Sequence, residues 1–89
     1  MAEFTTVSTA GLDTPTAYRL LTGSVAPRPI AWITTADADG RANAAPFSAY
    51  NFVSHSPPML AVNIASRNGQ LKDTARNILA SGEFVVNVA

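Results

Sequence analysis

The sequence predicts a mainly β domain with short helices, and three observations carry that prediction. Runs such as Ile30-Ala31-Trp32-Ile33-Thr34-Thr35 and Phe84-Val85-Val86-Asn87-Val88 have the length and the β-branched, aromatic composition of strands. Asp39-Gly40 follows the first of them, and an Asp-Gly pair supplies the positive φ angles of a tight hairpin. Two other stretches, Asp13 to Gly23 and Gln70 to Ala80, space their apolar residues at helical intervals instead.

Taken in order, the first dozen residues are small and polar and read as an arm or a first short strand. Asp13 or Thr14 then caps a helix with Pro15 in its first turn, carrying Ala17, Tyr18, Leu20 and Leu21, and Gly23 ends it. This helix is expected to pack on the sheet. Pro27-Arg28-Pro29 forces an extended lead-in, because each Pro biases its predecessor away from helix. The strand Ile30 to Thr35 follows, with Ile30 and Trp32 on one face, and Ala36 to Arg41 turns the chain back. Asx-turn chemistry accounts for Asp37 and Asp39 without a metal ion.

The returning strand, Ala42 to Pro46, is built of small residues, so either a ring system or large neighbouring side chains must approach it closely. The stretch Ala45-Pro46-Phe47-Ser48-Ala49-Tyr50-Asn51 mixes Pro, two aromatics, a hydroxyl and an amide. That is the lining suited to a flat, partly polar ligand; on residue types alone a Pro ending an edge strand, with aromatics entering a core, reads more readily. Ser54-His55-Ser56 is assigned to a loop before Pro57-Pro58. Met59 to Ile64 is a third strand, apolar on both faces apart from Asn63. Ser66-Arg67-Asn68-Gly69 breaks the pattern ahead of the second helix, which sets Leu71, Ala75, Ile78 and Leu79 on one stripe and Lys72, Asp73, Arg76 and Asn77 opposite. Ser81-Gly82 ends that helix, and Glu83 to Val88 is a fourth strand.

Composition limits the partners. The 89 residues are expected to form one domain, and only 13% are charged against 47% hydrophobic, too few charges to cover a small globule. An apolar surface that seeks a partner is expected, most simply a homodimer. The formal net charge is zero and no run of Lys or Arg occurs, which argues against nucleic acid and against an anionic membrane surface. Cys is absent, so thiolate chemistry and thiol-ligated metal are excluded. No apolar run is long enough to span a bilayer, and Met1-Ala2-Glu3-Phe4 lacks the basic start of a signal peptide, so a cytoplasmic location is expected.

Five segments then take on a joint meaning: SVAPRPIAW from Ser24, DADGRANAAPFSAYN from Asp37, SPPML from Ser56, KDTARNI from Lys72 and GEFVVNV from Gly82. In this order and spacing they resemble the flavin reductase-like family of FMN-binding split barrels, over Asp13 to Val88 and over only the N-terminal part of a typical member. The resemblance implies a split β-barrel, usually homodimeric, that binds FMN and in many members passes electrons from NAD(P)H to flavin. So few strands do not readily close a barrel, so residues 1–89 are expected to be the N-terminal part of a longer split barrel.

FMN needs a cradle for its phosphate, partners for the polar edge of the isoalloxazine, and an apolar wall. Ser66 and Arg67, leading into a helix start, offer the cradle, with Lys72 and Thr74 in the first turn. The role of Lys72 and Thr74 toward phosphate is also what the KDT segment implies by resemblance. Ser48, Asn51 and the backbone through Ala45, Pro46, Phe47 and Ser48 suit the polar edge of the ring. Arg28 resembles a family position near the flavin and serves phosphate or ring. Trp32 and Phe47 read more readily as core than as stacking partners, and His55 as a loop residue. No nucleophile or general base stands out, and hydride transfer between cofactors needs none. A flavin-binding or electron-relay module without turnover, or an inactive fragment acting through association, would use the same residues.

Overall fold

The structure, a computed structural model, describes residues 3–88. Met1 and Ala2 of the expected arm, and Ala89, lie outside the described residues. The elements run α1 (Thr14–Ser24), β1 (Ala31–Ala36), β2 (Ala42–Phe47), β3 (Tyr50–His55), β4 (Pro58–Val62), α2 (Asp73–Ser81) and β5 (Val85–Asn87). The fold is therefore mainly β with two short helices. Residues 3–9 form no strand, so the arm reading stands and the first-strand alternative does not.

β1 is the middle of an antiparallel sheet in the order β2-β1-β5. Its alternation is complete: Ala31, Ile33 and Thr35 are buried, whereas Ile30 and Trp32 face outward at 58% and 45% exposure. Trp32 is thus not core, contrary to expectation, because its face of the sheet has no covering layer among the described residues. Ile33 pairs with Ala45 and Ala31 with Phe47, so β2 brings Asn43, Ala45 and Phe47 to the inner face. Ala31, Ile33 and Phe47 form the core, with Ala45, Tyr50, Val62, Ile64 and Val86 packed against it.

The β1–β2 turn is set by Asp37, and of the Asp39-Gly40 pair Gly40 alone takes a positive φ, so the expected hairpin with both angles positive is not formed. Asp37 Oδ1 accepts from the N–H groups of Asp39 and Arg41, both at 2.9 Å, and Gly40 takes the positive φ of 80°. Among the described residues no cluster of His, Cys, Asp or Glu could hold a metal ion.

β3 and β4 form a separate antiparallel pair. β3 was not expected, and His55, assigned to a loop, is its last residue, paired with Pro58. A bulge between Phe52 and Ser54 explains the miss, since one inserted residue breaks the period-2 pattern and leaves Phe52 and Val53 both exposed. The three-stranded sheet and the β3–β4 pair do not close a barrel among the described residues.

Both helices depart from their sequence readings. Asp13 caps α1 as expected, accepting from Thr16 N–H at 2.9 Å, but the helix runs through Gly23 to Ser24. It buries no residue, and Tyr18 and Leu21 stay about two-thirds exposed, so the expected packing on the sheet is not made. α2 begins at Asp73 rather than Gln70 and ends on Gly82 in the left-handed conformation. The face it turns to the sheet is Thr74 and Asn77, not the Leu71, Ala75, Ile78 and Leu79 stripe; Leu79 is 74% exposed. Polar partners on β1 and β2 decide this orientation: Asn77 Nδ2 donates to Thr35 Oγ1 and Asn43 Nδ2 to Thr74 Oγ1. No helix of the described residues is long and apolar enough to cross a membrane.

Candidate functional site

An open cavity of about 580 Å³ lies where β2, the 67–70 turn and the start of α2 meet. β2 contributes Asn43, Ala45, Pro46 and Phe47, the turn contributes Arg67, Asn68 and Gln70, and the helix start contributes Lys72, Asp73 and Thr74. The turn is a tight two-residue hairpin. Arg67 and Gln70 exchange both backbone hydrogen bonds at 2.9 Å, and Asn68 and Gly69 take φ of 51° and 75°. Both positive angles are those of a type I′ turn, for which Asn-Gly is a favoured dipeptide. Ser66 to Gly69 is consequently not a helix start, and Ser66 lines neither this cavity nor the second one described below. The Asn68-Gly69 dipeptide was the signal that could have revealed the turn.

The helix start is instead Lys72, the cap residue, whose side chain makes no capping hydrogen bond. The first helical hydrogen bond runs from Arg76 N–H to the Lys72 carbonyl. Among the described residues, the N–H groups of Asp73, Thr74 and Ala75 have no protein acceptor. Thr74 is buried, Lys72 half-buried and Arg67 exposed. The Asp73 carboxylate pairs with Arg76 along the helix surface, with both side chains 63% exposed. The like charges of Lys72 and Arg76 are thereby offset within the helix itself, and little energy rests on so exposed a pair.

Beside Asp73 and the side-chain amides, the polar side chains around the cavity are a guanidinium, an ammonium and a hydroxyl, and the free N–H groups belong to the same helix start. Such a set suits an anion with several acceptor oxygens. Ala45 and Phe47 add an apolar wall beside it.

Arg28, Ser48 and Asn51 line a second cavity, about 450 Å³, between α1 and β3, with Tyr18, Leu21 and Tyr50 among its other walls. Arg28 Nη1 donates to the carbonyls of Thr22 at 2.9 Å and Val25 at 3.0 Å, and Nη2 donates to Ser48 Oγ at 3.3 Å. A cation at the C-terminal end of α1 is favourably placed against the helix dipole. Most of the Arg28 fork is therefore engaged in tying α1 to the end of β2. Asn51 Oδ1 accepts from Phe52 N–H at 2.8 Å.

The structure thus gathers Ala45, Pro46, Phe47, Arg67, Lys72 and Thr74 around one cavity and sets Arg28, Ser48 and Asn51 around another. His55 lines neither. Asn43 is the residue that sequence reasoning missed. Strand alternation was its signal, because Asn43 shares a face with Ala45 and Phe47.

Comparison with known proteins agrees with this architecture. Residues 23–89 match the flavin reductase like domain. The uncharacterized protein YwrF of Bacillus subtilis (strain 168) is 51% identical over 78 residues, which is 88% of this chain and 38% of that protein. An uncharacterized protein of Aquifex aeolicus (strain VF5) is 47% identical over 77 residues, 85% of this chain and 39% of that one. Nitrilotriacetate monooxygenase component B from Bacillus cereus superposes with a TM-score of 0.87 at 36% identity, covering 100% of this chain and 44% of that structure. Pseudomonas fluorescens 2-nitrobenzoate 2-nitroreductase NbaA superposes with a TM-score of 0.79 at 40% identity, covering 96% and 41%. The chain spans less than half the length of each of these relatives. With the family match extending over residues 23–89, the chain belongs to the flavin reductase like domain family.

Proposed function

We propose that this chain forms the FMN-binding part of an oxidoreductase that takes electrons from NAD(P)H and passes them to flavin, or through bound flavin to an acceptor. The observation that carries this reading is the donor-rich cavity at the start of α2. Arg67, Lys72, Thr74 and the free N–H groups would hold the phosphate there, and the β2 backbone from Ala45 to Ser48 would meet the ring. Flavin supplies the hydride and electron chemistry when bound, and the protein supplies orientation and electrostatics. The small side chain at Ala45 would let a planar group approach the strand closely, with Phe47 beside it on the same face. Likeness to a monooxygenase component and a nitroreductase supports a redox role.

We also propose that residues 1–89 act as the N-terminal unit of a split barrel, that the protein is a homodimer, and that it works in the cytoplasm, where its nicotinamide donor is regenerated. Exposed Ile30, Trp32 and Val85 on the outer face of the β2-β1-β5 sheet support association. The test is a titration of the full-length protein with FMN and riboflavin, followed by NAD(P)H oxidation with FMN added. Binding of FMN with tighter affinity than riboflavin, together with NAD(P)H oxidation, is expected. Absence of flavin binding would overturn the proposal, and flavin binding without NAD(P)H oxidation would reduce it to a non-catalytic flavin module.

A further inference from the structure

We infer that Asn43 is a positioning residue that makes the Thr74 hydroxyl an obligate donor toward the cavity, and so tunes the site for a phosphate ester over an alcohol. The inference rests on the phosphate reading of the α2 start given above. Asn43 Nδ2 donates to Thr74 Oγ1 at 2.9 Å, and both residues line the same cavity.

A threonine hydroxyl has one proton and can also accept. With the Asn43 amide proton directed at the oxygen, the hydroxyl proton must point elsewhere. In the first turn of a helix the usual intrachain outlet is a carbonyl three or four residues back. For Thr74 these are the carbonyls of Leu71 and Gln70, and the Thr74 hydroxyl donates to neither, nor to any other protein acceptor among the described residues. What remains is the cavity, where Arg67, Lys72 and the free N–H groups are donors as well. A phosphate, which at neutral pH offers mainly acceptor oxygens, satisfies all of them. An alcohol offers one oxygen in place of the several acceptor oxygens of a phosphate and satisfies fewer of these donors, so Asn43 favours FMN and adds little for riboflavin.

The test measures FMN and riboflavin dissociation constants for the full-length wild type, Asn43→Ala, Thr74→Ala and the double variant, with urea unfolding run in parallel. Asn43→Ala is expected to weaken FMN about tenfold, the worth of roughly one hydrogen bond to a charged group, and to leave riboflavin nearly unchanged. The double variant is expected to lose no more FMN preference than Thr74→Ala alone, because Asn43 acts through Thr74. Asn43→Asp, nearly the same shape, would accept the Thr74 proton and add a negative charge, and should cost more FMN affinity than Asn43→Ala. If Asn43→Ala does not fold, Asn43→Ser is read in its place. Equal losses for both ligands, or additive losses in the double variant, would overturn the role of Asn43 while leaving the flavin site standing. A wild type that binds riboflavin as tightly as FMN would overturn the phosphate reading and this inference with it.

Discussion

Asn77 on α2 and Thr35 on β1, 42 residues apart in sequence, are joined by a 3.0 Å hydrogen bond from Nδ2 to Oγ1, and both side chains are buried. This contact and the one between Asn43 and Thr74 make the seam between helix and sheet polar where the apolar stripe was expected. Thr35→Val should leave the Asn77 amide buried without its acceptor and cost about 1–3 kcal/mol. The double change Thr35→Val with Asn77→Leu should recover much of that loss, because both partners are then apolar. Urea unfolding of the single and double variants checks this; equal or greater loss in the double variant would mean that packing rather than hydrogen bonding dominates the seam.

Lys72 stands at the cap of α2, where the backbone donors of the helix start are free. Lys72→Ala should weaken FMN far more than riboflavin, and the residual FMN affinity should depend less on salt, since one screened charge pair is gone. Equal losses for the two ligands would return Lys72 to a solvated surface role.

The β1–β2 turn separates its two carboxylates. Asp37 Oδ1 accepts two backbone N–H groups, while Asp39 contributes only its backbone to that arrangement. Asp37→Ala should therefore cost on the order of 1 kcal/mol and Asp39→Ala no more than about 0.5. Neither lines the two cavities, so FMN affinity should stay nearly constant in both variants. A large loss of affinity in titration would place the turn in the site.

Asp13 gives a pH signature at α1. Hydrogen bonds from Thr16, through its side chain first and then its backbone N–H, hold the Asp13 carboxyl below its ordinary value of 3.8. A lowered folded pKa means that the contribution is full above that ordinary value and is lost as pH falls through the folded one. Asp13→Asn keeps a capping oxygen without the charge, so it should flatten the acid dependence of helix content below about pH 4. Circular dichroism from pH 6 to pH 2 would show it; identical profiles for wild type and variant would remove Asp13 from the acid response.

Sedimentation provides the check on association. The outer face with Ile30 at 58% and Trp32 at 45% exposure predicts a dimer at micromolar concentration. Trp32→Glu should shift the equilibrium toward monomer. A well-folded wild-type monomer would refute the proposal.

Local rules made much of this protein readable from its residues. Asp13 and Pro15 announce α1, Asp37 to Gly40 the turn, Gly82 the end of α2, and the alternation through Ala31, Trp32 and Ile33 the two faces of β1. Each depends on residues within a few positions of one another, where backbone sterics and short hydrogen bonds act without tertiary help. The five-segment resemblance carried the family for the same reason, as order and spacing are properties of the chain. Tertiary structure decided what depends on partners far away. β3 escaped because its bulge is defined only against β4. α2 turned Thr74 and Asn77 inward because Asn43 and Thr35 offered buried polar partners that no helical periodicity encodes. The proposed site residues were divided between two cavities, with Arg28 committing most of its fork to α1 and Ser48. Burial and long-range hydrogen bonding set those outcomes, and neither is a property of any short stretch of sequence.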